Sequence, residues 1–408
     1  MQSMFCFGHA AALAAGISLL GTTATAQSVG GMQVFDKTTG ALKTEIAASG
    51  GFFYAATEDL QSRIITGGDI NSPNTLTNLF VSRYNSNGTA DTSFGAGGVT
   101  TTGTPAAFWD IGVDSSGRVY VLASSPQTQS AGVLYVVRFQ SNGALDKDYN
   151  NGNSQVTMPA QCAPGGGALD VDGSGNTAVA CDSDTTGGFK VAEFDAFGHE
   201  VFLNQLGFTD VNSFTEHVRS VKIDPQGRVL AFGMSKDGRM AVRRFASGHP
   251  DPSFGLNNGT VYQSFGHNQQ IATDAAIDAN GNIFVVGTMW DTPDYSSHFM
   301  LFELDAFGGA SNQGEFTRGS HFAPVDTYHD YKIALAGGSL FIGGNAFVGH
   351  SSRKQFAIFK MSTAFQWDQT FGPGGMVTDF ISGHSDGTCY DLSYDPRTKN
   401  PVLVGVGN

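Results

Sequence analysis

The 408 residues include 54 glycines and 32 phenylalanines but only 14% charged residues, a composition of many short apolar strands between tight turns, not of amphipathic helices. A formal charge of −14 argues against a nucleic-acid or anionic-membrane surface, both of which need clustered Lys and Arg. Cations or neutral ligands match this balance better.

The chain opens on an apolar run from Ala10 to Leu20 followed by Ala24, Thr25 and Ala26, a small-x-small pattern. This predicts a secretory signal peptide over residues 1–26 and a mature protein starting at Gln27, although the leader carries no Lys or Arg before its apolar run; an uncleaved leader is the plainer account. No later segment approaches the ~20 apolar residues of a membrane span, so a secreted or periplasmic monomer without a membrane span is expected. Cys6 leaves with the leader. Cys162 and Cys181 flank one hairpin, where a disulfide and two buried thiols both fit, and Cys389 is left over.

Next comes a strand pair, Met32 to Ile46, with a Phe-Asp turn. Hairpins closed by an aspartate turn follow at Asp59, Asp114, Asp172, Asp224 and Asp278, with looser copies at Ile333 to Gly344 and Ser393 to Gly405, a period of roughly 55 residues. In each, the aspartate can bond the turn backbone before an apolar strand follows. A second strand pair stands after each of the first six hairpins and is missing after the seventh. The N-terminal pair supplies it. The prediction is an all-β, single-domain (27–408), seven-bladed β-propeller of four-stranded blades, closed by N-terminal strands completing the C-terminal blade. An open solenoid leaves the split unit unexplained and its two ends bare.

The stretch "GTADTSFGAGG" of Gly88 to Gly98, echoed in "GHPDPSFGLNNG" and "WDQTFGPGG", resembles the delta-sixty repeat of secreted bacterial proteins, and "AIDANGNIFVVG" resembles NHL-type propeller blades. The likeness spans nearly the whole mature chain, but the third and fifth units lack the Ser-Phe-Gly signature. It implies a propeller-like fold and no particular activity.

With the strands of a blade ordered outward from the channel, the short uniform turns fall on one face and the loops of variable length on the other. Variable loops on a rigid scaffold are where binding usually sits. Near the channel mouth on that face the non-repeated residues are Trp109, His217, Arg219, His329, Asp330 and His384, with Trp290 and Tyr295 on a neighbouring loop; aromatics beside imidazoles and carboxylates suit a small-molecule, glycan or protein ligand. Asp110, Asp274 and Asp391 each lie four residues before a turn aspartate. They suggest a calcium-type cation site, or carboxylates that satisfy backbone N–H groups at the strand entry. "DVDGSGN" (Asp170 to Asn176) imitates a calcium loop but has Cys181 where the twelfth-position Glu belongs. "GHSDG" (Gly383 to Gly387) matches Gly-x-Ser-x-Gly without the strand-turn-helix setting of a nucleophile elbow. The expected function is ligand or partner binding through the variable face. The alternative is an ester or lactone hydrolase at the mouth, either serine-dependent (Ser385, His329, Asp391) or metal-dependent in the manner of other propeller lactonases.

Overall fold

Six of the seven inner hairpins form because an apolar strand runs into a turn that its own aspartate closes; the hairpin at Ile333 to Gly344 turns on Gly337 and Gly338 instead. In the computed structural model, which describes residues 29–49, 51–70, 78–125, 133–159, 162–163, 166–183, 188–205, 207–208, 216–267, 269–289, 298–317, 331–347 and 353–407, Asp114 accepts the backbone N–H groups of Ser116 and Arg118 and the guanidinium of Arg118. Asp59 and Asp224 repeat this with Arg63 and Arg228, while Asp172 and Asp278 use Asn176 and Asn282. The third residue after the aspartate has positive φ, 78° at Gly117 and 75° at Gly227, which glycine adopts without steric cost. In the first hairpin this position is Ser62, at φ 64°.

Seven four-stranded antiparallel sheets result, the blades of a propeller. Their innermost strands, in blade order, are Gly51–Glu58, Ala107–Val113, Ala168–Val171, His217–Ile223, Gln270–Ile277, Lys332–Ala336 and Gly387–Tyr394, each packed against the next around a ring. Blade 7 continues outward through Pro401–Gly407, Val29–Phe35 and Leu42–Ser49, with Val29 opposite Gly407 and Val34 opposite Val402. The N-terminal pair therefore closes the ring as expected. Among the described residues the single helical segment is a 3-10 turn at Asn150–Gly152.

The core consists of seven apolar clusters, one at each junction between blades. At the closure, Met32 and Val404 of blade 7 meet Phe53 and Phe80 of blade 1. Polar groups then fasten the channel side, where the inner strands present N–H groups that no further strand can pair. The carboxylates of Asp110, Asp170, Asp274 and Asp391 accept the N–H groups of Leu169, Ile223, Ile333 and Ala56, each on the following blade, at 2.9, 2.7, 3.1 and 3.0 Å.

The Ser-Phe-Gly signature fastens the outer strands. In blade 1 the buried Arg83 lies over the Phe94 ring, donates to Asp91, and donates to the Ser141 carbonyl in the outer turn of blade 2. Arg244 with Asp251 and Phe254 does the same toward Ala306, and Arg138, ion-paired with Asp146 at 2.7 Å and lying over Tyr149, donates to the Ala196 carbonyl. Lys360 pairs with Asp368 at 2.7 Å in blade 6. Blades 3 and 5, which lack the signature, carry Glu193 and Glu303 in the arginine register. Cys162 and Cys181 form a disulfide, so the pairing that the sequence left open is made, and Cys389 is free and buried.

Candidate functional site

The mouth of the channel on the variable face is shaped by irregularities in the inner strands. Five of them shift register near their first residues, between Phe53 and Ala55, Phe108 and Asp110, Val218 and Ser220, Ala272 and Asp274, and Cys389 and Asp391. A bulge of this kind inserts one extra residue and re-aims its side chain. The inserted residues are Tyr54, Trp109, Arg219, Thr273 and Tyr390.

Thr273 is buried and donates to the Tyr331 carbonyl at 2.7 Å; the other four side chains line an arc with two characters. Tyr54 and Tyr390 lie with ring centroids 5.2 Å apart across the 7–1 junction, and Tyr54 is 6.4 Å from Phe108. The indole N–H of Trp109 donates to Ser124 Oγ at 3.0 Å. Gly166, at φ 91°, lies against that indole so closely that a Cβ would stand 2.1 Å from Cε3. Farther round, Asp182 gathers His217 and Arg219: its Oδ2 is 2.9 Å from His217 Nδ1 and 3.3 Å from Arg219 Nη1, and its Oδ1 accepts the Val218 N–H at 2.8 Å. Asp182 ends the second strand of blade 3. Asp69 and Asn345 hold the same place in blades 1 and 6 and accept the N–H groups of Phe108 and Cys389.

One residue deeper, four carboxylates and two ammonium groups share the channel. Lys222 Nζ lies 3.1 Å from Asp274 Oδ1, which also accepts the Ser220 hydroxyl. Burial opposes the charge on Asp274, but Lys222 and Lys332 outweigh it and hold this carboxyl below its ordinary range. Burial prevails at Asp391, pushed up to about 7, and at Asp170, pushed up to about 6. Asp110 is raised by the same cause. At the mouth, burial lifts Asp69 to about 7 and raises the Tyr54 hydroxyl well above an ordinary phenol.

Of the two roles the sequence offered for Asp110, Asp274 and Asp391, the geometry shows carboxylates that accept strand-entry N–H groups. Asp110, Asp274 and Asp391 each turn to the next blade's backbone with lysines among them, and among the described residues no group of three or more His, Cys, Asp or Glu is disposed to hold a metal ion. Asp172 in the calcium-like "DVDGSGN" is occupied by its own turn, accepting from Ser174, Gly175 and Asn176. Ser385 is exposed in the loop entering Gly387–Tyr394, with no hydrogen-bond partner among the described residues, and a strand rather than a helix follows it. Its neighbour His384 folds down onto Gly407, and its Nδ1 is buried. Trp290, Tyr295, His329 and Asp330, like the predicted leader, lie outside the described residues.

The structure thus brings Trp109, His217 and Arg219 to the mouth and adds Tyr54, Tyr390, Asp69 and Asp182, which the sequence reading missed. Tyr54 sits in "GFFYAATED", whose apolar run reads as core. Only the bulge shows that it is the inserted residue.

Fold and site together define a seven-bladed β-propeller with a framework turn face and an individual mouth. A family model described as "Domain of unknown function (DUF5122) beta-propeller" matches residues 62–94, the stretch that holds Arg63, Arg83, Asp91 and Phe94. No curated protein matches the chain. Among solved structures it is similar to a protein of unknown function from Dyadobacter fermentans DSM 18053, at 10% identity over 93% of this chain and 99% of that one, TM-score 0.42. A second protein of unknown function, from Bacteroides caccae, matches at 11% identity over 71% and 94%, TM-score 0.43. Polysaccharide lyase Uly1 matches at 9% identity over 93% and 98%, TM-score 0.43. Likeness at this level assigns neither ligand nor reaction.

Proposed function

We propose that this chain is an exported β-propeller that captures a small polar or glycan ligand at the mouth of its channel on the variable face. The observation that carries this reading is the contrast between the two faces. The turns repeat one aspartate device in six of the seven blades, whereas the bulges in five blades carry Tyr54, Trp109, Arg219, Thr273 and Tyr390, of which Thr273 is buried and the other four are half-buried at the mouth. Half-buried aromatic faces offer stacking area, and the Arg219–Asp182–His217 group offers fixed hydrogen-bonding partners beside them. Export is supported by the leader pattern at 1–26 and by the Cys162–Cys181 disulfide, which persists in oxidising compartments.

The hydrolase alternative needs a nucleophile with a base in hydrogen-bond reach. The base named for Ser385, His329, lies outside the described residues, and the strand that follows Ser385 is not the helix of a nucleophile elbow. The test is a titration of the mature chain against a panel of oligosaccharides, followed by calorimetry, with a parallel assay of p-nitrophenyl esters and simple lactones. Saturable binding weakened at least tenfold by Arg219→Ala and by Tyr390→Ala, with no turnover above background, is expected. Ester or lactone hydrolysis that disappears in Ser385→Ala at unchanged stability overturns the reading.

A further inference from the structure

The junction between blades 7 and 1 lacks the arginine that three other junctions contain, and unlike blades 3 and 5, where Glu193 and Glu303 take that register, it has only a valine there. After blades 1, 2 and 4 a buried arginine spans the junction and donates to a carbonyl in the next blade's outer turn, at Ser141, Ala196 and Ala306. In blade 7 the equivalent residue is Val34, opposite Val402 as Arg138 is opposite Tyr120 and Arg244 opposite Leu230. The equivalent carbonyl is that of Ser86, in the outer turn of blade 1, and it receives no hydrogen bond from the described residues. A cavity of about 200 Å3 fills the place of the side chain, several times the roughly 30 Å3 that one water takes in the liquid.

Its walls are suited to a cation. Asp395, buried, faces the cavity and takes the hydroxyls of Thr398, at 2.6 Å to Oδ2, and of Ser62, with no guanidinium from the described residues, where Asp59, Asp114 and Asp224 each hold an arginine. Ser62 lines the same cavity with its hydroxyl buried, at the position where four other hairpins have glycine and at a φ of 64° that a serine rarely adopts. Lys43 stands where blade 1 has Asp91, but its ammonium turns out to Asp36, 3.6 Å away, and is half exposed.

We propose that this cavity is a socket for a guanidinium group supplied from outside the chain, that of free arginine or of an arginine side chain in a polypeptide partner. A planar fork reaches a carbonyl, a carboxylate and a hydroxyl in different directions at once, as the three resident arginines do at their junctions; an ammonium is a point charge and citrulline carries none.

Calorimetric titration of the mature chain with L-arginine and with N-acetyl-Gly-Arg-Gly-amide tests this, with N-acetyl-lysine amide and citrulline as controls. Saturable binding of at least one guanidinium ligand, at least tenfold tighter than either control, is expected. Binding of the peptide alone identifies a polypeptide source, and binding of both shows that the free amino acid suffices. The double variant Val34→Arg, Lys43→Asp supplies the missing arginine in cis and should abolish binding while raising Tm. Should that variant fail to fold, Ser62→Gly, which restores the residue of the other turns, should weaken binding at least threefold. Absence of saturable binding by both guanidinium ligands, or affinity unchanged in the variant that folds, overturns the socket.

Discussion

A buried arginine is costly unless its charge and its donors are all answered, and Arg244 shows how this chain answers them. Asp251 takes Nε at 2.9 Å, the Ala306 carbonyl takes Nη1 at 2.5 Å, Ser253 takes Nη2 at 3.2 Å, and Phe254 covers the face of the guanidinium. The Ser-Phe-Gly signature is the sequence trace of this arrangement; the repeat was legible in the sequence, but the arginine it serves was not, because that residue sits on the preceding strand. Arg244→Met should leave Asp251 buried without its cation and cost about 3–5 kcal/mol, because breaking one partner of a buried pair strands the other. Chemical denaturation checks this, and Arg244→Met combined with Asp251→Leu should recover part of the loss. Equal loss in the single and double variants contradicts the pairing. The mouth residues were less legible for a related reason. Asp69 and Asp182 close no turn, and their roles depend on strand register across a junction, which no local pattern encodes.

At the scale of elements, the blade is a repeat that any two neighbours can bury, but the seventh exists only when the chain's two ends meet. Val29–Phe35 pairs with Pro401–Gly407 along its length, and Met32 and Val34 complete the last apolar cluster. Removing residues 27–49 should therefore open two sheet edges and abolish cooperative unfolding of the whole ring, as followed by calorimetry. A truncated chain melting as one sharp transition at the original temperature contradicts ring closure. Aspartate turns and a count of strand pairs made this element legible. The bulges were not, because an extra residue in an apolar strand leaves the alternation looking merely irregular. The disulfide between Cys162 and Cys181, 19 residues apart, constrains the unfolded chain, and Cys162→Ser with Cys181→Ser should lower stability by about 3 kcal/mol.

Across the whole molecule, the channel couples folding to pH. Asp391 and Asp69 are raised to about 7, Asp170 to about 6 and Glu58 to about 8, chiefly by burial. A carboxyl with a folded pKa above its unfolded one keeps its proton longer in the native state. Its contribution is therefore present on the acid side and lost as pH rises from about 4 to about 8. The lowered carboxyls act in the opposite sense: buried Asp274, Asp91, Asp251 and Asp395 contribute stability that is present above about pH 4 and lost as pH falls below it. Tm should peak near pH 5 and fall by several degrees toward pH 8, and Asp391→Asn should flatten that fall. A Tm that rises steadily from pH 5 to pH 8 contradicts this account of the channel.

The division of the molecule into a framework face and a binding mouth can be tested on one ligand from the oligosaccharide panel and two variants. Phe197 and Phe307 stand exposed on the turn face, so Phe197→Ser with Phe307→Ser alters that face, while Tyr390→Ala with Arg219→Ala alters the mouth. Calorimetric affinity for that ligand should fall at least tenfold in the mouth variant, about 1.4 kcal/mol, and remain unchanged in the turn-face variant. Affinity kept by the mouth variant, or lost only in the turn-face variant, would contradict the assignment of binding to the channel mouth.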